Sequence, residues 1–158
     1  MPAAAIALGS NLGDSQATIE AALDLLDHYP QIAVTRRSHW YRTSPVGPPQ
    51  PDYVNGCALL QVGLEPWPLM QTLLQVEVQF GRVRQERNGP RTLDLDLLLF
   101  DNLVLETPQL QIPHPRMGDR AFVLVPLAEI APDWVDPITG KTIGELLQAV
   151  DCSGVQKL

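Results

Sequence analysis

The order in which two apolar periodicities alternate along the chain limits its fold more than any other feature. Ala3 to Leu8 is a short apolar run ending at Gly9, as suits a buried strand. Ile19, Leu23 and Leu26 then recur at helical spacing, with Asp14 or Ser15 placed to cap the segment and Pro30 to close it. Ile32 to Tyr41 and Tyr53 to Val62 mix β-branched, aromatic and alternating apolar residues. They read as two strands joined by a stiff loop that carries Pro45, Pro48, Pro49 and Pro51. Pro66 fits the first turn of a second helix, in which Leu69, Leu73, Val76 and Phe80 share a face and Gly81 marks the end. Thr92 to Phe100 alternates and then becomes continuously apolar, as expected of a strand whose far end is buried on both faces.

The order β-α-β-β-α-β predicts an α+β fold: a ferredoxin-like split βαβ sandwich with helices packed on an antiparallel sheet. A loop-rich C-terminal extension follows, with one short helix near Ile143 to Val150. A length of 158 residues fits one domain, 1–158, large enough to bury most of its apolar surface.

The formal net charge of -7 argues against a surface built to neutralise a nucleic-acid backbone. The start of the chain has no basic region, and its apolar run is too short for a signal or a membrane span, so a cytoplasmic protein with no membrane partner is expected. Cys57 and Cys152 lack metal-ligand spacing and read as free thiols.

Within Thr92-Leu93-Asp94-Leu95-Asp96-Leu97, strand geometry puts both carboxylates on one face, about 7 Å apart, and the leucines between them on the other. Desolvation and mutual repulsion penalise such a pair in a core strand, and a divalent cation resolves the conflict. Oxygen ligands with an aqueous remainder suit magnesium, which completes its shell with substrate phosphates. A chance pair of solvated carboxylates is the alternative. Immediately upstream, Arg82, Arg84, Arg87 and Arg91 gather four of the chain's 11 basic residues into one stretch bracketed by Gly81, Gly89 and Pro90. Planar guanidinium donors suit phosphate oxygens, so the stretch resembles a polyphosphate clamp, against the alternative of surface pairing with Glu86 and its neighbours.

Two segments that mimic phosphate-binding loops are discounted. Gly140-Lys141-Thr142 has Val135 where the first glycine of such a loop belongs. Gly9-Ser10-Asn11-Leu12-Gly13-Asp14 lacks a lysine and carries an anion-repelling Asp14, so it reads as a tight turn with a helix cap.

Taken together, Gly9-Ser10-Asn11-Leu12-Gly13-Asp14, Tyr41-Arg42-Thr43-Ser44-Pro45, Gly81-Arg82-Val83-Arg84, Gly89-Pro90-Arg91-Thr92-Leu93-Asp94-Leu95-Asp96 and Pro113-His114-Pro115-Arg116-Met117 resemble the hydroxymethyldihydropterin pyrophosphokinases of folate biosynthesis. The resemblance implies a monomeric ATP- and magnesium-dependent diphosphotransferase. Such an enzyme binds ATP with two magnesium ions, then the pterin, and releases AMP and the pterin pyrophosphate.

By position, the resemblance makes Asp94 and Asp96 the metal ligands and sets Arg82 and Arg91 beside the transferred group. It gives Glu77, Arg84, Leu97, His114 and Arg120 to ATP, with Leu97 acting through its main chain. Thr43, Pro45, Val46, Tyr53, Asn55 and Phe122 fall to the pterin. Aromatic faces at Tyr53 and Phe122 can sandwich a flat heterocycle, and Asn55 offers donor and acceptor in one plane. The chain departs from better-studied members at Asn88 and Pro115, where those carry a tryptophan and a tyrosine, and its arginine loop is one residue shorter. Two rival readings are a small-molecule sensor domain on the same fold and a nuclease that uses Asp94 and Asp96 as a two-metal site.

Overall fold

Strand β1, Ala3–Ser10, lies between two partners and divides its side chains by size. Ala4, Ile6 and Leu8 point into one apolar cluster, while Ala5, Ala7 and Gly9 alternate onto the opposite face. The computed structural model describes residues 1–44, 49–81 and 92–158. Its further elements are α1 Ser15–Asp27, β2 Ile32–Arg37, β3 Tyr41–Thr43, β4 Tyr53–Val62, α2 Pro66–Gln79 and β5 Asp94–Phe100. After these come β6 Leu105–Glu106, β7 Gln111–Ile112, a 3-10 turn at Met117–Asp119, α3 Ala121–Ile130, α4 Ile143–Gln148 and β8 Val155–Lys157. The main sheet runs β5-β1-β4-β3-β8 with β2 also paired to β4, and its pairings are antiparallel. The chain is thus a mixed protein of antiparallel sheet and, among the described residues, four α-helices.

Helices α1 and α2 cover one face through Ile19, Leu23, Leu26, Leu69, Leu73 and Val76, the residues that helical spacing singles out. Asp14 caps α1 by accepting from the Ala17 N–H at 3.2 Å, and Gly13 takes a φ of 68° just before it. Gly9 and Ser10 still belong to β1, and Asn11 to Asp14 make the turn and cap expected of the segment. Thr142 and Glu145 form a reciprocal capping box on α4, which gives the Gly140-Lys141-Thr142 segment a structural role of its own.

Register on β5 decides where the carboxylates go. Leu95 and Leu97 enter the α1/α2 cluster, while Asp94 and Asp96 stand half-buried on the other face. A slip of one residue would exchange them and forfeit the burial of two leucines, about 3–6 kcal/mol. Beyond Asp96 the pairing with β1 skips Leu98, and the irregularity turns both Leu98 and Leu99 into the second cluster while Phe100 joins the first. The continuous apolar run is thus buried on both faces, as its composition predicts.

Two expectations need correction. The strand read from Ile32 to Tyr41 is broken into β2 and β3, because at Ser38 a side chain takes over from the backbone. Ser38 N–H donates to the Cys57 carbonyl at 2.9 Å, but the Cys57 N–H donates to Ser38 Oγ, also at 2.9 Å. Trp40 then crosses β4 at Gly56, where any Cβ would lie 2.3 Å from its ring. The C-terminal part is loop-rich, as expected, but it holds more than one short helix: α3 supplies Val123, Leu124, Leu127 and Ile130 to the second cluster, and β8 pairs with β3. Being apolar nearly all round and containing Pro126, α3 shows no amphipathic stripe in sequence.

Candidate active site

A cavity of about 580 Å³ opens where β1, β4 and β5 meet the N-terminal end of α3. Small side chains make its floor. Ala7 and Gly9 line it from β1, where larger residues would fill the space. Cys57 lies beneath, fully buried; burial, with Asp96 and Glu129 adding, pushes its thiol well up, so it stays protonated and inert.

One wall carries the residues expected to meet a heterocycle. Thr43 and Asn55 are both buried, and the Thr43 hydroxyl donates to Asn55 Oδ1 at 2.6 Å. That bond sets the plane of the carboxamide and turns its Nδ2 over Gly9, where an added Cβ would lie 2.9 Å from it. Tyr53 lines the same wall, and Phe122 faces the cavity from α3. The Arg120 guanidinium sits 5.5 Å from the centre of the Phe122 ring, which limits the freedom of both.

The other end carries charge. Asp94 and Asp96 line the cavity together with His114, Arg116, Asp119 and Arg120. His114 is anchored to the edge of β5, its N–H donating to the Leu98 carbonyl at 3.0 Å, while its Nδ1 accepts from the Arg116 N–H at 3.2 Å. Burial pushes the imidazole below its usual range; Asp96 opposes this, and Arg120 and Arg116 reinforce it. The ring is accordingly neutral at neutral pH and, with Nδ1 accepting, carries its proton on Nε2.

Thr43, Tyr53, Asn55, Asp94, Asp96, His114, Arg120 and Phe122 thus share one cavity. Glu77 and Leu97 do not line it. Glu77 is buried on α2, where its Oε2 accepts from the Leu95 N–H at 2.7 Å, and the Leu97 side chain belongs to the core. Pro45, Val46, Arg82, Arg84 and Arg91 lie outside the described residues. Reading the sequence alone overlooks Ala7, Gly9, Arg116 and Asp119 as lining residues. For the first two a signal exists in the small residues at alternate positions of β1.

Asp94 and Asp96 offer carboxylate oxygens on one face of a strand, and no group of three or more metal-ligating side chains occurs among the described residues. That donor set fits a hard cation that takes most of its shell from water and a phosphate ligand, as magnesium does.

Sheet, helices and cavity define an α+β protein with a pocket in which paired carboxylates and basic side chains adjoin a slot with a floor of small residues and a hydrogen-bonding wall. Residues 5–132 match the 7,8-dihydro-6-hydroxymethylpterin-pyrophosphokinase family, and the chain belongs to it. It is 54% identical over 152 residues to the 2-amino-4-hydroxy-6-hydroxymethyldihydropteridine pyrophosphokinase of Synechocystis sp., covering 96% of this chain and 78% of that one. With the protein of the same name from Pseudomonas aeruginosa it shares 46% over 154 residues, covering 97% and 94%. Among solved structures, Plasmodium falciparum HPPK-DHPS wild type with pteroate superposes with a TM-score of 0.75 at 12% identity, covering 93% of this chain and 42% of that one. The likeness is one of fold, and the chain spans less than half the length of that structure's chain.

Proposed function

We propose that the protein transfers a pyrophosphoryl group from ATP to the hydroxymethyl group of 6-hydroxymethyl-7,8-dihydropterin, giving AMP and the pterin pyrophosphate in folate biosynthesis. The observation that carries this reading is the meeting, in one cavity, of the Asp94 and Asp96 carboxylates with the Thr43–Asn55 pair and Phe122. Family membership and the names of the Synechocystis and Pseudomonas relatives support it. The strand order β5-β1-β4 with β2 beyond supports a ferredoxin-like split βαβ sandwich, residues 1–158 forming one pyrophosphokinase domain. We take it as a cytoplasmic monomer.

Phe122 and Tyr53 stack on the faces of the pterin, and Asn55 meets its amino-pyrimidinone edge. That binding directs the hydroxymethyl oxygen toward the charged end, where attack on the β-phosphorus displaces AMP in line. Two magnesium ions, held by Asp94 and Asp96, would supply charge neutralisation on the triphosphate. His114, with its proton on Nε2, donates to a phosphate oxygen, and Arg120 adds a fixed positive charge. Arg84 grips the triphosphate, while Arg82 and Arg91 meet charge that develops during transfer. Glu77 steadies the edge of β5, whose main chain at Leu97 serves adenine.

The deciding experiment is a product assay on ATP, magnesium and the pterin. AMP with the pterin pyrophosphate is expected. ADP would point to an ordinary kinase, and no nucleotide turnover would leave a ligand-binding domain.

A further inference from the structure

Helix α3 is apolar except for Glu129, its only charged residue, and that residue is heavily bonded. Its Oε1 accepts from the Tyr41 hydroxyl at 2.6 Å. The His39 N–H donates to both carboxylate oxygens, at 3.1 and 3.0 Å, and His39 Nδ1 lies 2.7 Å from Oε2. None of these groups lines the cavity.

The spacing links them to it. Glu129 is seven residues beyond Phe122, two helical turns, so the two side chains leave α3 on the same face about 10 Å apart. Tyr41 is two residues before Thr43, so these share a face of β3. The Tyr41–Glu129 bond therefore ties together the two elements that form opposite walls of the pterin slot. Thr43, bonded to Asn55, stands on the strand side, and Phe122 stands on the helix side. The Arg36 guanidinium also donates to the Ile130 carbonyl at 3.1 Å and the Cys57 thiol to the Val123 carbonyl at 3.6 Å, but the Tyr41–Glu129 bond is the shortest of the three and joins a side chain of α3 to β3.

We propose that Glu129 and Tyr41 are positioning residues that set the width and register of the pterin slot by locking α3 to β3. The proposal rests on the pyrophosphokinase reading and deepens it, since it assigns control of pterin recognition to a pair outside the site.

The test compares the full chain with Tyr41→Phe, Glu129→Gln, Glu129→Ala and the Tyr41→Phe/Glu129→Ala double variant, measuring initial rates of AMP formation against each substrate. Tyr41→Phe and Glu129→Ala should raise the pterin KM about tenfold while kcat and the ATP KM stay within about twofold, as for lost placement of one substrate. Glu129→Gln keeps an acceptor for the Tyr41 hydroxyl and should recover part of the loss. The double variant should be no worse than Glu129→Ala, because both changes break one bond. Should Glu129→Ala fail to fold, Tyr41→Phe decides alone, since it removes one oxygen and no packing volume. Parental pterin KM in Tyr41→Phe, or an equal rise in both KM values, would overturn the positioning role. A parent chain that releases no AMP would instead overturn the functional reading, and this proposal with it.

Discussion

Thr43 and Asn55, on neighbouring strands β3 and β4, share a buried 2.6 Å hydrogen bond in which the threonine hydroxyl donates and the carboxamide oxygen accepts. Asparagine side chains rotate freely about their last bond, so this contact fixes which edge Asn55 shows to a ligand. Thr43→Val keeps the shape and removes the donor. It should weaken pterin binding by about 1 kcal/mol, roughly fivefold, with ATP binding unchanged. Calorimetric titration with each ligand checks it.

Gly9→Ala tests the same side chain from beneath. The added methyl would lie 2.9 Å from Asn55 Nδ2, closer than carbon and nitrogen tolerate, and a shift of the amide would strain its bond with Thr43. The variant should fold and lose pterin affinity by at least as much as Thr43→Val. Combining the two should add little, since they break one interaction. Additive losses would show that Gly9 acts on something other than Asn55.

ATP binding should depend on magnesium, because Asp94 and Asp96 otherwise face the triphosphate as like charges. Removing magnesium with excess chelator should weaken ATP binding to the parent chain at least tenfold, on the scale of one uncompensated charge contact. Asp96→Asn should bind ATP less dependently on the metal and turn over more slowly. Equal affinity of the parent chain with and without chelator would count against the assignment.

Arg91 is expected to act on charge that appears during transfer rather than on charge already present in ATP. Arg91→Ala should slow a single turnover by about 10²-fold or more with little effect on folding, and Arg91→Lys should restore only part of the rate, since a point charge lacks the two-pronged contact. Rapid-quench AMP formation at saturating substrates measures it. A parental rate with only weakened ATP affinity would make Arg91 a ground-state clamp.

The Glu129 network also predicts how stability responds to acid. Burial of Glu129 works to raise its pKa, but the bonds from the Tyr41 hydroxyl and the His39 backbone and ring outweigh it, and the net shift is downward from 4.5. A carboxylate held lower in the folded state contributes stability above its unfolded value that is lost as pH falls through the folded one. Glu129→Gln should therefore narrow the gap between thermal midpoints at pH 7 and in the range below 4.5. On the alkaline side Tyr41, raised by burial and by Glu129 to about 12, contributes below pH 10 and loses that contribution as pH climbs through about 12. Tyr41→Phe should remove that alkaline sensitivity.

Several features of the protein are written in local pattern alone. Period two in Asp94-Leu95-Asp96-Leu97 determines that both carboxylates share a face, and helical spacing picks out Leu69, Leu73 and Val76 as the buried stripe of α2. The cap at Asp14 depends only on neighbouring backbone and is equally legible. The motif string around Asp94 carries the family, because it joins at fixed spacing residues whose chemistry acts together.

What required the tertiary structure was everything set by contacts between distant segments. Helix α3 has no stripe to read, since its partly exposed positions other than Glu129 are apolar like its buried ones, yet it places Phe122, with Arg120 at its N-cap, in the cavity. The break between β2 and β3 arises from Ser38 meeting Cys57, 19 residues away, and no local propensity announces it. Glu77, assigned to the nucleotide by position, spends a carboxylate oxygen on the Leu95 N–H, a partner that exists only once α2 has docked on β5. Periodicity is a property of one element and is written in its own residues, whereas the fixed plane of Asn55 and the tie between Tyr41 and Glu129 come into being only when separate elements pack.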